Sequence, residues 1–137
     1  MTDKELVALS VKARENSYCP YSNFRVGAAL LTASGKVYTG CNVENASYGV
    51  CICAERVAIG KAVSEGERDF VAIAIAGARK DTPIDEPCAP CGICRQTIAE
   101  FCNGDFKILL AKEDGFDSYT LSELLPLSFT KNSLMGE

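Results

Sequence analysis

The sequence specifies an α/β fold, a three-layer α/β/α sandwich around a mixed sheet of about five strands. Three observations predict it. Residues 25–33, 70–76 and 106–111 are apolar runs of strand length, the near-unbroken kind expected of strands covered on both faces. Between them, 54–65 and 92–101 read as helices that can serve as crossovers from one strand to the next. Ser34-Gly35 joins 25–33 to the short stretch 36–40 as a hairpin, so one edge of the sheet is antiparallel and the whole is mixed.

The elements run in order from the N-terminus. Residues 4–17 carry Leu6, Val7, Leu9, Val11 and Ala13 among charges, an amphipathic helix with Thr2 or Asp3 as its cap. Pro20 and Tyr21-Ser22-Asn23 make a connector to the first strand. Residues 41–52 are mixed in character and contain glycine, which reads as loop. In 54–65, Val57, Ala58, Ala62 and Val63 mark one helical face. Residues 79–90, with three prolines and several charges, form a polar loop before the helix at 92–101. Asp117–Thr120 is a short last strand, followed by a brief helix at 121–124 and an irregular tail. No repeat, low-complexity tract or internal boundary divides the chain, so 1–137 is expected to be one domain.

Composition narrows the function classes. Apolar residues make up 47% and charged residues 23%, globular values that exclude disorder. The net charge of −4 argues against a polynucleotide partner, which calls for a basic surface. No twenty-residue apolar span is present, and Met1-Thr2-Asp3-Lys4-Glu5 lacks the apolar run of a secretory signal. The expectation is a cytoplasmic protein with no membrane partner, whose eight cysteines stay reduced as metal ligands or small buried groups. Histidine is absent, so proton transfer falls first to Glu or Asp.

Two segments carry chemistry: Cys53-Ala54-Glu55 and Pro90-Cys91-Gly92-Ile93-Cys94. Zinc takes four tetrahedral nitrogen and sulfur ligands, and a catalytic site leaves one position open. Cys53, Cys91 and Cys94 fill three positions, and Glu55 is left to move protons. Cys91 and Cys94, three apart, share a face in a first helical turn. Cys53 and Glu55, two apart, converge only if Cys53 lies at or just before a helix start. Helix N-termini suit thiolates, because free amides and the macrodipole stabilise negative charge. Three thiolates leave zinc with a formal charge of −1, so Arg56, and with a weaker case Arg95, are candidates to hydrogen-bond a thiolate and draw charge away. Other readings exist. Cys51 or Cys88 offers a fourth ligand for a structural zinc, and Cys88-x-x-Cys91-x-x-Cys94 opens like an iron–sulfur run without its last cysteine. A structural site gives Glu55 no work, which favours catalytic zinc. A Cys-x-Glu followed by Pro-Cys-x-x-Cys is the described signature of zinc deaminases.

Beyond that signature, the sequence resembles the small homotetrameric cytidine deaminases across most of its length. Pro20-Tyr21-Ser22-Asn23-Phe24-x-Val26-Gly27-Ala28-Ala29 is similar to the family's opening motif, and Gly40-Cys41-Asn42-Val43-Glu44-Asn45-Ala46 to its ribose-binding segment. Cys53-Ala54-Glu55-Arg56 and Pro90-Cys91-x-x-Cys94-Arg95-Gln96 correspond to its metal site, and Glu123-Leu124-Leu125-Pro126-x-x-Phe129 to its closing segment. The resemblance implies one zinc per chain and hydrolysis of cytidine and 2′-deoxycytidine to the uridines and ammonia, in pyrimidine salvage. It implies that Phe24 packs on the pyrimidine, Asn42 and Glu44 bind the sugar hydroxyls, and the Ala54 backbone meets the base. It further implies a homotetramer in which Tyr48 and Phe129 help complete a neighbour's site. Two alternatives remain open at this level: a related deaminase of another aminated heterocycle, and a non-catalytic zinc-binding module.

Overall fold

The structure, a computed structural model, describes residues 1–136. Helix α1 (Asp3–Ala13) starts at Thr2, whose hydroxyl accepts from the Glu5 N–H while the Glu5 carboxylate accepts from Thr2 N, a reciprocal cap. The helix is shorter than the 4–17 expected, because a single 3₁₀ turn, Arg14–Asn16, finishes the segment. Strands β1 (Phe24–Thr32) and β2 (Val37–Cys41) form the hairpin. Helix α2 (Ala54–Ser64), strand β3 (Phe70–Arg79), helix α3 (Gly92–Phe101) and strands β4 (Lys107–Lys112) and β5 (Gly115–Thr120) come next. Two short helices close the chain, α4 (Leu121–Leu124) and α5 (Lys131–Met135), the second in a stretch expected to be irregular.

The five strands lie in the order β2-β1-β3-β4-β5, with β3 and β4 parallel and every other pair antiparallel. This is the mixed five-stranded α/β sheet the sequence predicts. Side chains alternate across a strand, and in β3 the alternation separates large residues from small ones. Ile73 and Ile75 point into the core under α2 and α3, among Ala58, Ile59, Ala62, Ile98, Ile108 and Leu110. Ala72, Ala74 and Ala76 point the other way, toward Leu6 and Val7 of α1 and Leu109. Bulky residues fill the two-helix side, and alanines let the single helix lie close to the sheet.

Two departures from expectation matter for the site. Strand β3 continues past residue 76 to Arg79, because β1 pairs with it down to Phe24 opposite Arg79. The 41–52 stretch is tied rather than free: Val43 bridges Tyr18 on one side and Ile52 on the other. Tyr18 N donates to Asn42 O and Glu44 N to Tyr18 O, so Asn42 and Glu44 stand on pinned backbone. Gly40 fixes how closely α2 lies on β2. A Cβ there would run into the Ala54 carbonyl oxygen and lie 2.7 Å from Ala58 N, contacts no side chain can make. Among the described residues no helix is long and apolar enough to cross a membrane.

Candidate active site and metal centre

The chain delivers two helix N-termini to one place. Cys53 is the N-cap of α2, with extended backbone at φ −76°, ψ 153°, and Cys91 is the N-cap of α3 at φ −67°, ψ 168°. Their carbonyls accept the first helical bonds, from Val57 N and Arg95 N. Cys53 therefore sits before the helix and Glu55 within its first turn, the condition on which their convergence depends. Cys94, one turn into α3, is fully buried.

The three sulfurs lie within 4.8 Å of one another; Cys53 and Cys91 are 3.8 Å apart and Cys91 and Cys94 3.5 Å. Two sulfurs bound tetrahedrally to zinc at about 2.3 Å are separated by about 3.8 Å, so the cluster fits that ion. Electrostatics agree. Hydrogen bonding with Cys94 above all, and then with Arg56 and Cys91, overcomes burial and draws the Cys53 thiol down to about 5. The bond shared with Cys53, together with burial, pushes Cys94 in the opposite direction. Thiols this close share protons that a cation displaces. The Arg56 guanidinium donates from Nη2 to Cys53 Sγ at 3.8 Å and to Cys51 O at 3.4 Å. Its buried Nε has no partner among the described groups.

Cys51 and Cys88 stand outside the cluster. Asn45 N donates to Cys51 Sγ, and Cys51 donates back to Asn45 O. Cys88 packs over Gly77, where a Cβ would meet its sulfur at 2.7 Å and the Phe24 ring at 3.1 Å. Burial, and after it the nearby charge of Glu55, pushes Cys88 up to about 11, which holds it as a neutral thiol.

Above the sulfurs opens a cavity of about 490 Å³, a size suited to a small-molecule ligand. Its wall includes Cys53, Ala54, Glu55 and Cys91 together with Asn42, Glu44 and Tyr48. Glu55 is 3% exposed, and burial is the chief reason its carboxyl lies above the usual range. Glu44 accepts from Tyr21 N at 3.0 Å, Ser22 N at 3.1 Å and the Ser22 hydroxyl. Hydrogen bonding from Ser22 first, and then from Tyr21, holds it below the usual carboxylate range.

Other expected site residues are placed less simply. Asn42 spends most of its amide on the start of β1, accepting from Val26 N at 2.9 Å and donating to Phe24 O at 2.8 Å. One Nδ2 hydrogen is left for another acceptor. Val26, not Phe24, is the β1 residue that lines the cavity; the Phe24 ring lies against Gly77. Tyr48 borders its own chain's cavity, edge-on to Tyr21 with ring centroids 6.0 Å apart. Phe129 lies outside that cavity, 56% exposed, its carbonyl held by Gln96. Arg95 does not serve a thiolate: it donates to Pro90 O at 2.7 Å and Leu124 O at 2.6 Å, pinning the metal loop to the C-terminal segment. Tyr21, Ser22 and Ile52 also line the cavity, beyond the site residues expected from the sequence. The turn Pro20-Tyr21-Ser22-Asn23 is the available signal for Ser22, because serine in turns bonds nearby polar groups.

Fold and site together define a class: an α/β domain with a three-thiol metal centre at paired helix N-termini and a buried carboxylate beside it. Residues 1–110 match the family described as the cytidine and deoxycytidylate deaminase zinc-binding region, and the chain belongs to that family. A cytidine deaminase of Sporosarcina psychrophila is 49% identical to it, covering 98% of this chain and 96% of the relative. A crystal structure of cytidine deaminase from Burkholderia pseudomallei superposes with a TM-score of 0.86 at 45% identity, over 94% of this chain and all of that one. A blasticidin-S deaminase of Bacillus cereus is 32% identical over 95% of this chain and 94% of its own length.

Proposed function

We propose that the chain is a zinc-dependent hydrolase that converts cytidine and 2′-deoxycytidine to uridine and 2′-deoxyuridine with release of ammonia. The observation that carries the reading is the meeting of Cys53, Cys91 and Cys94 near buried Glu55, with Cys53, Cys91 and Glu55 in the wall of one cavity. Zinc, when bound by those three thiolates, supplies Lewis acidity that makes water nucleophilic at neutral pH. Glu55 takes the proton water gives up and delivers it to ring N3, which makes C4 electrophilic. The water oxygen bonds to C4, and Glu55 takes the remaining proton of that hydroxyl and passes it to the 4-amino group; the C4–N bond then breaks, C4=O forms and ammonia leaves. Burial suits Glu55 to this exchange, since it raises the carboxyl's pKa and so favours its taking up a proton. Arg56 withdraws charge from Cys53 and so offsets the excess negative charge of three thiolates.

Glu44 stays ionised and accepts sugar hydroxyls, and Asn42 offers its remaining N–H. An ionised carboxylate there repels phosphate and so selects a nucleoside over a nucleotide. Phe24, which lies against Gly77 outside the cavity wall, packs toward the pyrimidine from the start of β1. The Ala54 backbone meets the base from the first turn of α2. Tyr48 closes the rim of its own chain's cavity, and Phe129 projects from the surface to complete a neighbour's site in a homotetramer. Exposed Tyr18, Tyr48, Val50, Leu127 and Phe129 give such an assembly apolar surface to bury. The protein acts as one cytoplasmic domain, residues 1–137, in pyrimidine salvage.

Activity on cytidine tests the reading. The ultraviolet absorbance change should accompany cytidine and 2′-deoxycytidine, and cytosine and cytidine monophosphate should be poor substrates. The blasticidin-S relative supports a second reading, an aminated heterocycle other than cytidine, and blasticidin S belongs in the same panel. Turnover of it alone would replace the first reading with the second.

A further inference from the structure

Glu44 is held by a built turn, and one residue of that turn controls which carboxylate oxygen is free. Oε1 accepts from both Tyr21 N and Ser22 N, which fills its two acceptor directions. Oε2 accepts from the Ser22 hydroxyl and keeps one direction open. The hydroxyl itself has little freedom. Phe24 N donates to Ser22 Oγ at 3.0 Å, so the single hydroxyl proton is turned toward Glu44. The turn is anchored elsewhere as well: Asn23 sits in the left-handed region at φ 58°, its N–H donates to Cys19 O at 3.0 Å and its carbonyl accepts from Lys80 N at 2.7 Å. Asn tolerates that conformation better than most residues.

We infer that Ser22 is a positioning residue for the sugar end of the site, orienting Glu44 so that Oε2 presents its open lone pair to a nucleoside hydroxyl. The inference rests on the proposed role of Glu44 as the sugar-binding carboxylate. Both residues line the cavity, and Ser22 has no hydrogen bond to Glu55 or the three thiols. Without the hydroxyl, two backbone N–H groups still hold Oε1, but Oε2 loses its aim. The loss therefore falls on ground-state binding of the sugar and shows in KM rather than kcat.

The test is steady-state kinetics with cytidine on the zinc-loaded protein. Ser22→Ala should raise KM about tenfold, the usual scale for one hydrogen bond to a charged group. Ser22→Gly deletes the same hydroxyl with a backbone any turn accepts, and it should match the alanine variant. Ser22→Thr restores a hydroxyl and should recover most of the loss. The double variant Ser22→Ala/Glu44→Ala should be no worse than Glu44→Ala alone, because Ser22 acts only through that carboxylate. KM within twofold of wild type in both hydroxyl-deletion variants would overturn the inference, as would losses that multiply in the double variant. Glu44→Ala with unchanged KM would remove the sugar site itself. A clear Glu44→Ala effect beside silent Ser22 variants would remove the positioning role alone.

Discussion

Replacing Glu55 with Gln isolates the proton-carrying step from the metal site. The substitution keeps the shape of a buried side chain and removes its ability to gain and lose a proton. No histidine exists to take over. Among the described residues the only other carboxylate lining the cavity is Glu44, which is engaged by Tyr21 and Ser22. A positioned general acid or base contributes about 10² to 10⁴ in rate. One group carrying both transfers, with no substitute nearby, places the loss in kcat at about 10⁴ or more. Zinc binding should survive, since the three sulfurs are untouched. Stability should hold or rise, because Glu55 is 3% exposed and a neutral amide is cheaper to bury than a carboxylate. The assay is cytidine turnover alongside zinc content and thermal unfolding of the same preparation. A zinc-loaded Gln variant retaining more than about a tenth of wild-type kcat would show that Glu55 is not the proton carrier.

The same geometry sets three further outcomes. Gly40→Ala places a methyl against the Ala54 carbonyl and Ala58 N, and should cost about 1–3 kcal/mol in denaturant unfolding; wild-type stability would mean α2 has room to shift. Arg56→Gln removes a charged donor from Cys53 and should weaken zinc retention about 10- to 100-fold in competition with a chelator, with unchanged retention contradicting the charge-withdrawing role. Hydrogen bonds from Ser22 and Tyr21 depress the Glu44 pKa, so its ionised form is present above the ordinary carboxylate value and is lost only as pH falls through the lowered one. KM for cytidine should therefore be flat from about pH 8 down to about pH 5, and a rise within that range would show that Glu44 is not held as described.

The parts of the site legible in the sequence are those in which residue type alone dictates chemistry. Three cysteines at helix starts and a Glu two positions after the first can converge in few ways, and the N-cap placement of Cys53 is a consequence of that spacing. The strand and helix order is legible because apolar runs and helical faces alternate without interruption. The hidden parts depend on tertiary partners. Cys51 and Cys88 stay apart from the cluster because Asn45 lies beside one and Gly77 beneath the other, and no local pattern reports either. Asn42 reads as a polar loop residue, yet its amide completes the end of β1. Arg95 comes directly after a ligand cysteine in sequence, but its guanidinium reaches away to Leu124, 29 positions on. Ser22 is an ordinary turn serine until the fold sets Glu44 against it.

The proposed function requires that zinc be held by Cys53, Cys91 and Cys94 alone, leaving one coordination position for chemistry. X-ray absorption at the zinc edge, on protein shown to turn over cytidine, tests it most directly. The expected result is about one zinc per chain, with three sulfurs near 2.3 Å and one lighter atom completing the set. Four sulfurs around the zinc would mean that Cys51 or Cys88 has closed the site, and the catalytic reading would give way to a structural one.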